Sequence, residues 1–174
     1  PISFYQYRLL TDGSAEITGL ECDDWVPLPD QINGHKVTSI APFAFFLETG
    51  YTGSIDLPAT LTAIGDFAFS GCENFTGTLK LPSRLTSIGM GAFAYCARLT
   101  GGLEFPSSLT ALGISAFEGC SGLNGNLKFS TGLKVIPALA FDECSRLTGS
   151  IGLPHCITEV GEHAFYICSG FTGI

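Results

Sequence analysis

The sequence predicts a repeat solenoid, a single coil of short parallel strands that winds through about six turns of 24 residues. Two observations support this prediction. An Ala-Phe pair recurs at a fixed interval, and a cysteine stands three residues after each Phe. The full copies carry this cysteine at Cys72, Cys96, Cys120, Cys144 and Cys168. A weaker copy precedes them by the same interval, with Glu48 in the cysteine position. Self-similarity at a fixed period of this length is typical of solenoids, whose repeats pack only on their neighbours.

Residues 1–25 lie outside the regular repeat and are predicted to form an N-terminal cap. Two strand-like segments, 2–10 and 15–20, are joined through Asp12-Gly13, a dipeptide that favours a tight hairpin turn. Such a hairpin would cover the core of the first turn and protect an open sheet edge. We expect the solenoid to occupy residues 26–174, with a C-terminal end that is truncated or uncapped.

Each repeat is expected to contain short strands and one short helical or 3-10 turn. In the first full copy, Leu79 and Leu81 alternate with polar neighbours, which is the period of a strand with one buried face. Residues 61–64 are predicted to form a second extended segment. Ala68 and Cys72 are four residues apart, a spacing that would place both on one face of a helical turn.

Recurring glycines indicate tight corners in the coil. One glycine column consists of Gly53, Gly77, Gly101, Gly125, Gly149 and Gly173. A glycine in every copy predicts either a positive φ or a corner too tight for a Cβ atom. The fourth full copy departs from the consensus, because Pro137 replaces a glycine and Ser130 replaces a proline. We therefore expect altered corner geometry there.

These repeats resemble those of a known family. The pattern of Ile88-Gly89, Ala92-Phe93, Cys96 and Leu99 is similar to the BspA-like leucine-rich repeat family, and residues 29–40 resemble its first turn. The resemblance covers residues 26–174 and implies a leucine-rich repeat solenoid. Members are typically surface or secreted proteins of bacteria and some protozoa, and several are adhesins. The resemblance therefore implies an extracellular or cell-surface binding module that adheres to a host protein, a glycan or another cell.

Composition argues against several other functions. The net charge of −8 comes without a basic stripe, which disfavours binding to nucleic acid and to anionic lipid. No apolar stretch approaches the roughly 20 residues that span a bilayer, so direct membrane insertion is not expected. An export signal or anchor is expected to have been removed or to lie elsewhere. The sequence contains neither the Gly-x-Ser-x-Gly motif of a catalytic serine nor a phosphate-binding glycine loop. We therefore predict neither an enzyme nor a cofactor.

The cysteine column is interpreted as core packing rather than as a redox or metal ladder. A free cysteine on an apolar face behaves as a small hydrophobe, and a spacing of 24 residues is not that of a metal site. Cys22 and Cys156 lie off this column, and Cys156 is predicted to be exposed. Whether these two thiols are free is left open by the sequence.

One position in successive strands forms a charge column of alternating sign. Its members are Asp56, Lys80, Glu104 and Lys128. The simpler interpretation is a cross-strand ladder that helps to align the turns. The alternative is a polar binding face, because solenoids commonly bind along their strand surface.

Aromatic residues outside the core positions are the remaining candidates for an interface. Phe43 and Phe67 share one column near the N-terminal end, and Tyr95 lies in a flanking column. Clustered exposed aromatic side chains favour interaction sites, whereas packing against the cap is the alternative. A rival function for the whole chain is a structural spacer that holds another domain away from the cell surface.

Overall fold

A computed structural model describes residues 4–20 and 27–173, and it shows a β-solenoid of about six turns. Parallel pairing from β4 (His35–Ile40) to β10 (Ala111–Leu112) in the longest sheet keeps a register of 24 residues between turns. Ser39 pairs with Ala63, Ala63 with Ser87, and Ser87 with Ala111. The period seen in the sequence is therefore the length of one complete turn of the coil.

The strands are short, and most contain only two residues. Within the described residues they are β1 Tyr5–Leu9, β2 Ala15–Leu20, β3 Gln31–Ile32, β4 His35–Ile40, β5 Ala63–Ile64, β6 Gly77–Thr78, β7 Ser87–Ile88, β8 Leu99–Thr100, β9 Leu103–Glu104, β10 Ala111–Leu112, β11 Leu127–Lys128, β12 Val135–Ile136, β13 Gly149–Ser150, β14 Glu159–Val160 and β15 Phe171–Gly173. The longest sheet follows the order β1-β2-β4-β5-β7-β10, with β3 paired to β4.

The predicted N-terminal hairpin is present. Strands β1 and β2 pair antiparallel, and β2 then pairs parallel with β4, so the hairpin extends the solenoid sheet. Asp12 accepts hydrogen bonds from the Ser14 amide and hydroxyl, and Gly13 has a φ of 81°. Ala15 and Ile17 are fully buried against the first turn. The predicted boundary at residues 25 and 26 lies outside the described residues and stays a prediction.

The predicted helical or 3-10 turn is wrong: no residue of the described chain lies in a helix. Backbone hydrogen bonding around Ala68 gives the reason. The amides of Ala68, Ser70 and Cys72 close four-residue β-turns by donating to the carbonyls of Gly65, Phe67 and Phe69. The amides between them, at Phe67, Phe69 and Gly71, donate instead to carbonyls of the next turn at Met90, Ala92 and Ala94. A helix needs its successive amides for its own bonds, whereas this segment uses every second amide for stacking.

A ladder of phenylalanine rings runs through the core. Successive rings stack with centroids 5.1–5.7 Å apart and planes within 14° of parallel, and they belong to Phe45, Phe69, Phe93, Phe117, Phe141 and Phe165. Phe69, Phe93, Phe117 and Phe141 are completely buried. Each ring contacts the rings directly above and below it, so one turn cannot bury its own core without its neighbours.

Close approach between backbones explains one glycine column at the ends of the inner strands. The amides of Gly65, Gly89, Gly113 and Gly161 donate to the isoleucine carbonyls one turn earlier at 2.7–2.8 Å. A Cβ atom on Gly113 would overlap the Met90 nitrogen and the Gly89 carbonyl. Pro137 occupies this column in the fourth copy and has no amide hydrogen to donate. The long sheet ends at β10, and among the described strands β12 pairs only with β14. The altered corner geometry of this copy stays a prediction.

The other recurring glycine column also forms tight corners, as predicted. Gly53, Gly77, Gly101 and Gly149 have positive φ values between 79° and 129°. Gly125 has no such φ, but a Cβ atom there would overlap the backbone of Gly102. Both reasons for a recurring glycine therefore occur within one column.

Candidate functional site

The outward segment of each turn carries two columns of residues in the left-handed backbone conformation. The first consists of Phe43, Phe67, Gly91, Ser115, Leu139 and His163, and the second of Leu47, Gly71, Tyr95, Gly119, Glu143 and Ile167. Their φ values lie between 54° and 74°. A left-handed residue other than glycine costs roughly 1–2 kcal/mol. We call the outward surface formed by these columns and the residues beside them the turn face.

Hydrogen bonds from the turn face to adjacent turns hold this backbone in place. The Phe43 amide donates to the Asp66 carbonyl at 2.9 Å, and the Tyr95 amide donates to the Glu118 carbonyl at 2.6 Å. Because the adjacent turn supplies the acceptor, the left-handed conformation persists whatever side chain the position carries. The side chains of these columns are consequently free to vary from turn to turn.

Four apolar residues form an aromatic patch at the N-terminal end of the turn face: Phe43, Phe46, Leu47 and Phe67. Phe43 stacks on Phe67 with centroids 5.3 Å apart and contacts Phe46 edge-on at 5.6 Å. Phe43 is nevertheless 55% exposed, Phe46 is 43% exposed and Leu47 is 59% exposed. The described part of the cap therefore leaves the patch open to solvent. Its role as an interface stays a prediction.

Tyr95 lies beyond the patch and is 47% exposed. Its hydroxyl donates a hydrogen bond to the Glu118 carboxylate. That bond, together with the nearby charges of Glu118, Glu143 and Asp142, raises the pKa of Tyr95 to about 12. The ring thus lies at the border between the apolar part of the turn face and a group of carboxylates.

The charge column forms one ion pair within the described residues. Lys128 Nζ lies 3.6 Å from Glu104 Oε2, and both side chains are largely exposed. Asp56 instead accepts a hydrogen bond of 3.4 Å from the Ser54 hydroxyl. Exposed pairs of this kind contribute about 0–1 kcal/mol, so the column aligns the turns only weakly.

A groove crosses the segments that carry the charge column, of which only Glu104 and Lys128 lie in strands. Its volume is about 920 Å³, and it follows the same segment through three consecutive turns, over residues 78–83, 102–107 and 126–130. The residues that line the groove include Lys80, Glu104 and Lys128 together with Phe105 and Phe129. The alternative interpretation of this column as a polar binding face remains a prediction.

The cysteine column forms a buried thiol ladder. Each Sγ lies 3.0–3.1 Å from a phenylalanine carbonyl of the preceding turn, and the donors are Cys72, Cys96, Cys120, Cys144 and Cys168. Burial raises the pKa of every one of these thiols, to about 12 at Cys72 and about 11 at half-buried Cys168. A raised pKa suppresses the thiolate that redox chemistry and metal binding require.

The two remaining cysteines lie off the ladder. Cys156 is a free thiol but is half-buried rather than exposed, with its Sγ 3.5 Å from the Leu133 carbonyl. Thr60 and Ser108 occupy the same column and direct their hydroxyls at the equivalent carbonyls. A hydrogen-bonding column was therefore missed, although its small polar residues could have signalled it. Cys22 lies outside the described residues.

The described residues hold neither a candidate metal cluster nor a helix that could span a membrane. They contain no group of three or more His, Cys, Asp or Glu side chains placed to hold a metal ion. No helix in residues 4–20 or 27–173 has the length and apolar character needed to cross a bilayer.

Comparisons with known proteins give a consistent family. A model of the BspA type leucine rich repeat region matches residues 36–172 in six copies. No curated protein sequence matches the chain. The T. pallidum leucine rich repeat protein is similar in structure, with a TM-score of 0.77 and 26% identity over 98% of this chain and 89% of that protein.

Longer proteins share the same fold. A leucine rich cell surface protein from Faecalibacterium prausnitzii has a TM-score of 0.70 and 23% identity over 99% of this chain, which spans 54% of that protein. The pneumococcal vaccine antigen PcpA has a TM-score of 0.56 and 16% identity over 94% of this chain, which spans 45% of PcpA. At these identities, the last two likenesses show the fold alone.

Proposed function

The chain belongs to the BspA type leucine-rich repeat family, and from that premise we propose that it is a non-enzymatic, surface-exposed binding module. Its proposed role is adhesion, through the turn face, to a host protein or to a protein on another cell. An extracellular location is supported by the F. prausnitzii relative, which is a cell surface protein. Solenoids offer extended surfaces for this kind of contact.

The exposed stacking of Phe43 on Phe67 is the observation on which this proposal rests. The pair lies outside the buried core, because Phe43 is 55% exposed although it stacks on Phe67. Clustered aromatic side chains supply most of the affinity at many protein interfaces, where one anchor contributes about 2 kcal/mol or more. The aromatic patch fits such an anchor.

Binding to a panel of immobilised matrix proteins and glycans tests the proposal. The parent chain is expected to bind a matrix protein saturably, and a Phe43→Ser/Phe67→Ser variant is expected to bind at least about tenfold more weakly. Phe4→Ser is the matched control, because Phe4 is 46% exposed but lies outside the patch. Circular dichroism must show that all three chains are folded. Unchanged affinity in the double variant would remove the patch from the proposal, and binding to glycans alone would change the ligand class.

A structural spacer is the second candidate function. The continuous phenylalanine ladder favours it, because ring stacking along the whole described solenoid gives a stiff rod. A spacer needs no ligand, so the absence of saturable binding to every panel member would favour this function over adhesion.

A further inference from the structure

The turn face changes in chemical character along its length. Its N-terminal half carries the aromatic patch, whereas the following turns carry Glu118, Asp142 and Glu143. We call these three residues the acidic cluster. Tyr95 connects the two halves, because its hydroxyl bonds to Glu118 and the adjacent Gly119 amide donates to the Asp142 carbonyl at 2.8 Å. One face therefore presents apolar rings followed by negative charge.

Two aromatic side chains on this face lie against a glycine of the next turn. A Cβ atom on Gly91 would overlap the Phe67 ring, and one on Gly119 would overlap the Tyr95 ring. Because these glycines have no side chain, each leaves room for the ring of the preceding turn. Tyr95 thus lies against Gly119 on one side, while 47% of its surface is exposed.

The charge of the acidic cluster is not neutralised within the described part of the chain. The ion pairs among the described residues join Arg8 to Glu16, Lys128 to Glu104 and His163 to Glu162. None of these pairs involves the acidic cluster. One carboxylate oxygen of Asp142 is buried and accepts no hydrogen bond. The hydrogen bond that the Tyr95 hydroxyl donates to Glu118 is the main cause of its raised pKa, followed by burial and then by the negative charges of the cluster.

We propose that the turn face binds a basic protein segment, whose arginine side chains stack on Tyr95 and pair with Glu118 and Glu143 while apolar side chains cover the aromatic patch. This inference rests on the proposed function, because it names the partner chemistry of the same face. Arginine fits better than lysine, because its planar guanidinium stacks on a ring and pairs with a carboxylate through two parallel hydrogen bonds. The chain's net charge of −8 would also speed the approach of such a partner.

A short fluorescent peptide of alternating arginine and leucine is a suitable probe. Matched peptides carry citrulline, which keeps the shape but not the charge, or lysine, which keeps the charge but not the planar group. By fluorescence anisotropy, the arginine peptide is expected to bind at least about tenfold more tightly than the citrulline peptide. The lysine peptide is expected to have intermediate affinity. Equal affinity for the arginine and citrulline peptides would overturn the proposal.

Two double variants separate a local site from general attraction to an acidic protein. Glu118→Gln/Glu143→Gln is expected to weaken binding of the arginine peptide at least about tenfold. Glu73→Gln/Glu159→Gln removes the same charge from two exposed carboxylates outside the cluster and is expected to change affinity less than about twofold. Equal weakening by both variants would show general electrostatic attraction and would overturn the proposal.

Tyr95 allows a finer test of the stacking. Tyr95→Phe keeps the ring but loses the hydrogen bond to Glu118, so near-parent affinity for the arginine peptide is expected. Tyr95→Ser removes the ring and is expected to weaken binding about fivefold. If Tyr95→Phe were as weak as Tyr95→Ser, the hydroxyl rather than ring stacking would hold the peptide, and the stacking part would be wrong.

The matrix-protein panel distinguishes failure of this inference from failure of the proposed function. If the Phe43→Ser/Phe67→Ser variant loses matrix binding while Glu118→Gln/Glu143→Gln retains it, the binding module stands and the basic partner is wrong. If no matrix protein binds the parent chain but the arginine peptide binds the acidic cluster, the partner chemistry stands without the adhesive role. Absence of both kinds of binding overturns both proposals.

Discussion

The inward and outward columns of this solenoid follow the same backbone but tolerate different variety in sequence. In the phenylalanine ladder, every described turn from Phe45 to Phe165 keeps the same residue. In the left-handed columns of the turn face, the residue changes at almost every turn although φ stays between 54° and 74°. An inward side chain must fit two neighbours at once, whereas an outward one has solvent on one side. Stability therefore restricts the residue types of the inward columns and leaves those of the outward columns available for recognition.

Deletions test whether the inward columns define the repeat, and they carry the largest expected effect. Removing residues 89–112 joins Ile88 to Gly113 in register and should leave a shorter protein that unfolds cooperatively. Removing residues 89–100 brings unlike positions together and should abolish cooperative unfolding. Circular dichroism during heating distinguishes the two results. A stably folded product from the shorter deletion would contradict the period.

Single truncations compare a ladder ring directly with a turn-face ring. Phe93→Ala should lower the free energy of unfolding by about 3–5 kcal/mol, because Phe93 is completely buried between Phe69 and Phe117. Phe67→Ala should cost about 1 kcal/mol, since only its stacking on Phe43 and its partial burial are lost. Urea unfolding measures both values. Similar losses would mean that the turn face is part of the core.

Glycine substitutions compare a backbone contact with open space. Gly113→Ala should cost about 1–3 kcal/mol, because the new Cβ atom would overlap the backbone of Gly89 and Met90. Gly50→Ala should change stability by less than about 0.5 kcal/mol, since no atom lies within 4 Å of its Cβ position. Thermal denaturation of the two variants measures both changes in stability. A neutral Gly113→Ala would show that the turns can separate without loss of packing.

The thiol ladder predicts loss of stability in alkali. Folding raises the pKa of Cys72 from 9.0 to about 12 and that of Cys168 to about 11, so the folded state holds these protons more tightly. This contribution is fully present below pH 9 and is lost as the pH rises toward 12. The free energy of unfolding should therefore fall in this range, and less steeply in a Cys96→Ala/Cys120→Ala variant. Identical slopes would show that other groups cause the loss.

Thiol labelling gives the smallest expected contrast, because it leaves the fold unchanged. At neutral pH, Cys96 and Cys120 should react about a hundredfold more slowly than half-buried Cys156. Mass spectrometry of peptides after timed exposure to an alkylating reagent measures each rate. Fast reaction at Cys120 would show that the turns open in the native state.

Much of the fold follows from sequence spacing alone. The recurring phenylalanine, cysteine and glycine positions predict a 24-residue turn, and the Asp12-Gly13 step predicts the hairpin. The helical turn was wrong because the i, i+4 spacing of Ala68 and Cys72 does not show where the intervening amides donate. Those donors choose acceptors on another turn, and only stacking brings the acceptors within reach.

Part of the candidate interface could also be predicted from the sequence, whereas the rest depends on the stacking of the turns. Phe43, Phe67 and Tyr95 stand out in the sequence because they lie outside the core positions. The contacts of Phe67 and Tyr95 with glycines, the left-handed backbone of all three residues and the hydrogen bond from Tyr95 to Glu118 depend on contacts between turns. The acidic cluster was missed, since its three carboxylates belong to two different repeats and meet Tyr95 only when the coil is stacked.

Residue spacing predicts the period, the inward residues and the glycine column from Gly53 to Gly173, because packing against similar neighbours repeats the same demand in every turn. The tertiary structure alone decided which amides bond between turns, where Pro137 ends the long sheet and which outward side chains meet. These features depend on distances across turns, and residues 24 positions apart in the chain become neighbours only in the folded coil.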